Sequence, residues 1–163
     1  MFEFTETTVI GAPPPMVWAA LQDLDGWWPA SNPDHESLER LDDRGIEVGA
    51  RLRIKEKIAG IPGEAVGEIT EIHPCSSVTW EAPRARYHLL GFPFTVGEGV
   101  TWRLEDHGSD GTGLSAHVWA TFPGRLGRLL QWVFSHVFGG IERDREHTRT
   151  ELNYLKGTLE AGQ

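Results

Sequence analysis

Residues 128–160 read RLLQWVFSHVFGGIERDREHTRTELNYLKGTLE, and this stretch decides the fold. Its apolar or small residues recur at steps of three, four and seven, as on one face of an α-helix. Those residues are Leu130, Val133, Val137, Ile141, Thr148, Leu152, Leu155 and Leu159. Gly139 and Gly140 predict a kink or a break, because each costs about 1 kcal/mol relative to alanine inside a helix. The sequence therefore predicts a long C-terminal helix after the glycines.

The two faces of this helix indicate what surrounds it. The opposite face carries charged residues and is expected in water: Arg143, Arg145, Glu146, Arg149, Glu151 and Lys156. The apolar face must rest on another layer, and the rest of the chain reads mostly as strands, so we expect a sheet there. Asp144 and Thr148 interrupt the apolar face. They either reach solvent where the face drifts or line a pocket.

The first 36 residues predict one strand, a short helical region and a loop. Apolar residues between Phe2 and Ile10 indicate the opening strand, and Gly11 ends it. Helical spacing then follows at Val17, Trp18, Leu21 and Leu24. Residues 30–36 consist largely of turn-forming residues and predict a loop.

From Ser37 to residue 122 the apolar period is two, which predicts about six antiparallel strands in a meander. We expect Pro83 to end one of these strands. The segment 87–94 predicts a short strand or a loop, since Gly91 and Pro93 interrupt it. The whole order predicts a single α+β domain over residues 1–163.

Length, charge and cysteine content exclude several classes of protein. The chain has 163 residues, enough to bury about 70% of its unfolded surface in one core. Its net charge of -9 and its lack of a basic cluster argue against nucleic-acid binding. The single cysteine excludes an internal disulfide, and no apolar run reaches the 18 or so residues of a membrane span. The first residues lack the features of a signal peptide, so we expect a cytoplasmic protein.

Two carboxylates fall on the apolar side of predicted strands. Glu56 shares its side with Leu52, Ile54 and Ile58, and Glu98 alternates in step with Val96 and Val100. A carboxyl group in an apolar cavity has a raised pKa and can act as an acid or a base near neutral pH. Both are therefore candidate catalytic residues. The alternative is a shift of strand register or a structural ion pair with an arginine.

The aromatic and histidine residues suggest a pocket and no metal. Five aromatic residues could wall a ligand pocket or simply pack the core: Trp28, Trp80, Phe92, Phe94 and Trp102. His88, His117 and His136 stand alone in the sequence, and no His-Glu-x-x-His spacing is present. We therefore predict neither a metal site nor a cofactor.

Several short segments carry a resemblance to a known family. They are VIGAPP (9–14), VW (17–18), LQD (21–23), WWP (27–29), VGA (48–50), GEITEIHP (67–74), VTW (78–80) and TWRL (101–104). With the order of elements, they make the chain resemble the Bet v 1-like, START-related (SRPBCC) superfamily, especially its bacterial polyketide cyclase/dehydrase group. This resemblance implies a helix-grip fold, in which a curved antiparallel sheet wraps around a long C-terminal helix, with two short helices after the first strand.

The same resemblance implies a cavity between sheet and helix, and with it three possible functions. The first is binding of a small hydrophobic or aromatic ligand, lipid-like or polyketide-like, by Trp28, Trp80, Phe92, Phe94, Trp102, Asp144 and Thr148. The second is a polyketide cyclase or dehydratase that uses Glu56 or Glu98 as acid or base. The third is a lipid or quinone carrier, since residues 126–138 are apolar on too many sides to be fully buried. This last function predicts a homodimer or contact with a membrane surface through 126–138.

Overall fold

Seven strands and four α-helices form the structure, a computed structural model that describes residues 1–162. The strands are β1 (Phe2–Ile10), β2 (His35–Arg40), β3 (Arg51–Ile58), β4 (Ile61–His73), β5 (Ser77–Leu89), β6 (Phe92–Asp106) and β7 (Thr112–Thr121). The helices are α1 (Pro14–Gln22), α2 (Leu24–Trp27), α3 (Gly127–His136) and α4 (Gly140–Ala161).

The strands form one antiparallel sheet in the order β1-β7-β6-β5-β4-β3-β2. From β2 to β7 each strand pairs with the next in the chain, as short connections favour, and β1 adds to the free edge of β7. The sheet is curved and unclosed, and it grips α4. The predicted α+β helix-grip fold is therefore confirmed, including the two short helices after the first strand.

The break before α4 has two separate causes, one at each glycine. Gly139 adopts a left-handed conformation (φ +59°), which glycine accepts without steric cost. Gly140 lies against the ring of Phe134, and a Cβ placed there would come within 2.4 Å of that ring. The predicted break is confirmed, because α3 ends at His136 and α4 begins at Gly140.

Helix α4 is fastened to β1 by charged side chains. The carboxylate of Glu6 accepts hydrogen bonds from Arg145 Nη1 at 3.0 Å and Arg149 Nε at 2.8 Å. Further along the helix, Lys156 Nζ donates to the carbonyl oxygen of Val9 at 2.8 Å. These contacts fix how the inner face of α4 is rotated relative to the sheet.

Tryptophan packing joins α2 to the sheet. The ring of Trp28 makes edge-to-face contacts with Trp80 and Trp102, with centroids 5.4 and 5.1 Å apart. Trp27 meets Trp102 in the same manner at 5.8 Å. Such pairs add about 0.5–1.5 kcal/mol each beyond their buried area. The packing holds the chain after α2 against the inner face of the sheet.

Three sequence-based boundaries are wrong. Strand β5 continues past Pro83, because a bulge between Ala82 and Ala85 removes the need for a ladder amide at the proline. Residues 87–94 are the end of β5 and the start of β6, and Leu90 and Gly91 make the turn between them with positive φ. His35 begins β2 and does not belong to a loop.

The surface of α3 keeps an apolar face, defined by Leu126, Leu129, Trp132 and Val137, each more than half exposed. Phe134, on the other side, is buried. Contact of residues 126–138 with a second copy or a membrane surface stays a prediction. Among residues 1–162, no helix is both long and apolar enough to cross a membrane.

Candidate functional site

A cavity lies between the inner face of the sheet and helix α4. It contains about 750 Å³ of space free of atoms, part of it open to solvent. The volume that the centre of a water molecule can occupy is about 90 Å³. Its wall is mainly aromatic and aliphatic, as in pockets for small organic ligands. Polar lining comes from Glu56, Tyr87, Glu98, Gly99, Asp144, His147, Thr148 and Glu151.

Two histidines and two glutamates meet on the α4 side of this cavity. The Nε2 atoms of His35 and His147 are 2.9 Å apart. Glu56 Oε2 lies 3.2 Å from His35 Nε2 and 3.6 Å from His147 Nε2. Glu151 Oε1 lies 3.1 and 3.5 Å from the same two nitrogens. We call these four residues the His–Glu cluster, and all of them are buried.

Three separate elements build the cluster. His35 and Glu56 are register partners on β2 and β3, so their side chains leave the sheet side by side. His147 and Glu151 are four residues apart on α4 and therefore share one helical face. Asn32 Nδ2 donates to the carbonyl oxygen of His147 at 3.3 Å and ties the loop before β2 to α4.

Trp28 orients two members of the cluster from outside. Its carbonyl oxygen is 2.6 Å from His35 Nδ1, and because a carbonyl only accepts, Nδ1 carries the proton. Its indole Nε1–H donates to Glu151 Oε1 at 2.9 Å. The Nε2 atom of His35 is thereby turned toward His147 and the two carboxylates.

Opposite charges in the cluster shift one another's pKa values in the direction that favours the ionised forms. Burial raises the pKa of Glu151, but hydrogen bonds from His147 and His35 outweigh it and lower the pKa to about 2. The pKa of Glu56 is lowered for the same reason. Burial lowers the pKa of His147, but Glu151 and Glu56 outweigh it and raise the pKa to about 11, and they raise that of His35 to about 9. These raised values alone would protonate both histidines at neutral pH, but two Nε2–H donors cannot face each other at 2.9 Å. That contact needs one donor and one acceptor, so at this distance the two Nε2 atoms share one proton.

Two further carboxyl groups of the cavity, those of Glu98 and Asp144, have raised pKa values. Tyr87 donates its hydroxyl hydrogen to Glu98 Oε2 at 2.9 Å, whereas Glu98 Oε1 is buried without a hydrogen-bond partner among the described residues. Burial and the charge of Glu56 raise the pKa of Glu98 well above its ordinary value. Burial also raises the pKa of Asp144 to about 7, despite the opposing charge of His147. The cavity thus contains an ionised group, the His–Glu cluster, and two carboxyl groups, those of Glu98 and Asp144, that keep their protons to higher pH than usual.

Most residues predicted for the site line this cavity. They are Glu56 and Glu98, with Trp28, Trp80, Phe94, Trp102, Asp144 and Thr148. Phe92 does not: it is 77% exposed at the start of β6, beside the Leu90–Gly91 turn, where the hairpin extends past the cavity. The alternative of an arginine partner is also wrong, since in the described chain Glu56 pairs with histidines and Glu98 with Tyr87.

The sequence does not single out His35, Tyr87 and Glu151 as site residues, and it marks His147 only by its spacing of three from Asp144 on the predicted helix. Glu151 was expected in water, yet it is only 7% exposed. Steps of three and four from Asp144 reach His147, Thr148 and Glu151, so the helical period contained this signal. His35 gives no such signal, because it follows a run of turn-forming residues and only the pairing of β2 with β3 brings it to Glu56.

Comparisons with known proteins agree with this architecture. The family described as "Polyketide cyclase / dehydrase and lipid transport" matches residues 1–153. A comparison with curated proteins finds no significant match.

Solved structures with the same fold are distant in sequence. A Thermus thermophilus protein, TTHA0849, superposes with a TM-score of 0.74 at 20% identity, covering 99% of both chains. A START superfamily protein from Mycobacterium smegmatis gives 0.71 at 15% identity, again over 99% of both chains. An aromatase/cyclase, Zhui, from a Streptomyces species gives 0.65 at 16% identity, over 98% of this chain and 93% of that one. The fold and the match over residues 1–153 together show that this chain belongs to the polyketide cyclase/dehydrase and lipid transport family.

Proposed function

We propose that the protein binds a small hydrophobic or aromatic molecule that carries oxygen atoms, in the cavity between the sheet and α4. The observation that carries this proposal is a largely apolar cavity whose lining includes a few polar residues. Ligands of this kind are aromatic polyketides, and lipid-like molecules with a carbonyl or hydroxyl group. The family description, which covers both cyclases and lipid transport, supports this class of ligand.

Unpaired polar atoms in the wall favour an oxygen-bearing ligand over a pure hydrocarbon. The indole nitrogens of Trp80 and Trp102 and the Oε1 atom of Glu98 are buried and lack a hydrogen-bond partner among the described residues. A buried polar group without a partner costs about 1–3 kcal/mol. These atoms have almost no accessible surface, so a ligand carbonyl that accepts from an indole N–H, or a hydroxyl that meets Glu98, would recover part of that free energy once the neighbouring wall side chains shift.

Ligand binding can be tested by filling the cavity. Ala120 lies in its wall, so Ala120→Leu should lower the affinity for the fluorescent probe ANS and for naphthol at least tenfold. Ala19→Leu is the matched control, because Ala19 is exposed on α1. Native mass spectrometry of the purified protein should also show a co-purifying small molecule. Equal affinities in both variants and the parent would contradict the proposal.

Glu98 gives specific support to a second function, acid–base catalysis. In a cyclase or dehydratase, a neutral carboxyl group can protonate a hydroxyl that leaves as water after a ring has closed. Glu98 has a raised pKa, is held by Tyr87 and borders the cavity. Water is then lost from the β-hydroxy ketone formed by ring closure, and the carboxylate left on Glu98 takes up the α-proton, which restores the acid. Glu98→Gln should reduce this loss of water at least 100-fold, within the range for general acids. Glu105→Gln, an exposed change on the same strand, should have no effect. Equal turnover in both variants would exclude this function.

A further inference from the structure

We propose that His35, Glu56 and His147, with Glu151 beside them, form a binding site for one divalent transition-metal ion such as Zn²⁺ or Fe²⁺. This inference goes beyond ligand binding and catalysis by Glu98, and its test uses no organic ligand.

The first argument is the distance between the donor atoms. One side-chain atom each of His35, Glu56 and His147 lies within 4.8 Å of the other two. The individual contacts are 2.9 Å between the histidines and 3.2 and 3.6 Å from Glu56 Oε2. Ligand atoms about 2.0–2.1 Å from a tetrahedral ion lie about 3.3 Å from one another. An ion can therefore enter with shifts of a few tenths of an ångström.

The second argument is the orientation of the ligands. Metal-bound histidines almost always donate their other ring N–H to a carbonyl or carboxylate, which fixes the tautomer. His35 does this through Nδ1 to the carbonyl of Trp28, so its Nε2 is the atom directed toward a cation, which would displace the proton shared with His147. The same tryptophan holds Glu151 through its indole N–H. Trp28 thus orients two of the four side chains without supplying a ligand atom.

The third argument is charge. Two buried carboxylates face two histidines whose Nε2 atoms, 2.9 Å apart, have room for one proton between them. In the described chain the ion pairs of Glu56 and Glu151 involve only these histidines. Each carboxylate is stabilised by its contacts with the histidines, but with one shared proton the cluster keeps a net negative charge in a buried site, and this charge attracts a cation. A divalent cation bound to two neutral imidazoles balances both carboxylates.

The ligand types and the position of the site define what it would bind. Imidazole and carboxylate ligands suit zinc and iron, and two histidines with one carboxylate leave coordination positions open. Glu56, His147 and Glu151 line the cavity, so an open position would face the ligand space. An oxygen atom of a cavity ligand could then complete the coordination.

The experiment is a titration of chelator-treated protein with Co²⁺, and separately with Zn²⁺ under equilibrium dialysis. We expect one ion per chain, with the visible absorption of low-coordinate Co²⁺ that Zn²⁺ abolishes by competition. His147→Gln and His35→Gln should each weaken binding by at least about 100-fold, as loss of a ligand exceeds the 10–100-fold typical of outer partners. His73→Gln is the matched control, because His73 pairs with Glu71 on the surface.

A second measurement on the unaltered chain covers the case in which a variant fails to fold. In ¹⁵N NMR spectra of the imidazoles, Zn²⁺ should shift the Nε2 resonances of His35 and His147 and leave that of His73 unchanged. Absence of a stoichiometric ion, or equal binding by the two cluster variants and the parent, would overturn the assignment. Because no organic ligand is present, that result would leave the ligand-binding proposal standing.

Discussion

At the scale of single residues, the most informative group is Asp144. Its carboxyl is 7% exposed, and burial raises its pKa to about 7 from an ordinary value of 3.8. The unfolded chain therefore ionises at lower pH than the folded one, so the free energy of unfolding falls as pH rises from about 4 to about 7. Above that range both states are ionised and the penalty is constant.

Asp144→Asn removes this titration. We expect the variant to gain stability relative to the parent between about pH 4 and about pH 7, by about 2–4 kcal/mol in total. Urea unfolding of the chelator-treated proteins at several pH values measures the difference. Parallel curves for the two proteins would show that Asp144 is solvated and would contradict the buried position.

The two glutamates predicted from strand alternation, Glu98 and Glu56, should have pKa values shifted in opposite directions. Burial raises the pKa of Glu98, whereas hydrogen bonds from His147 and His35 lower that of Glu56 against its own burial penalty. In ¹³C NMR spectra of the side-chain carboxyl groups, Glu98 should keep its proton to higher pH than exposed glutamates, and Glu56 should lose its proton at lower pH. If both glutamates titrated together at the pH usual for glutamate, their surroundings in the cavity would not differ, and the contrast between Glu56 and Glu98 would be wrong.

Sequence reasoning reached these glutamates because burial in a strand follows a period of two, and both lie in step with aliphatic residues. It could not assign their partners. A period of two shows which side of the sheet a residue faces, but the partner of Glu56 is His35, and only the β2–β3 register connects them. Tyr87 gives no signal for a similar reason: residues 87–94 predict a short strand or a loop, and only the antiparallel pair of β5 and β6 brings Tyr87 to Glu98.

At the scale of elements, two glycines of α4 have opposite expected behaviour: Gly140 at its start, beside α3, and Gly157 near its end. Gly140→Ala would place a Cβ within 2.4 Å of the Phe134 ring, so we expect a loss of about 1–3 kcal/mol. Gly157→Ala lies later in α4 with nothing within 4 Å, and should gain about 0.5–1 kcal/mol through helix propensity. Thermal and urea unfolding of both variants measure the contrast. Equal effects would mean that Gly140 is only a helix breaker and not a packing contact.

The helix break was predictable because two adjacent glycines are costly inside any helix. The continuity of β5 through Pro83 was not, because a proline normally ends a ladder and a bulge is a property of two strands together. Elements recognised by their own residues were therefore predicted well, and elements that depend on a partner strand were not.

At the scale of the whole molecule, the His–Glu cluster joins β2, β3 and α4, and the tryptophans connect it to α2. Disrupting the cluster should lower the free energy of unfolding of the whole domain, since the helix and the sheet contact each other there through buried polar groups. Its electrostatic stabilisation depends on carboxylates that stay ionised in the folded chain.

Glu151 defines the pH window of that stabilisation. Its folded pKa of about 2 lies below the ordinary value of 4.5, so its contribution is fully present above about pH 4.5 and is lost as pH falls toward about 2. Glu151→Gln should therefore lower the free energy of unfolding of the metal-free protein by about 1–3 kcal/mol at neutral pH. The two proteins should converge in acid, because the parent then carries a neutral side chain as well. Glu146→Gln, an exposed change five residues earlier in α4, serves as the control and should follow the parent at every pH. A Glu151→Gln deficit that stays constant from neutral pH to about pH 2 would assign the effect to packing, and the cluster would then not act through its charges.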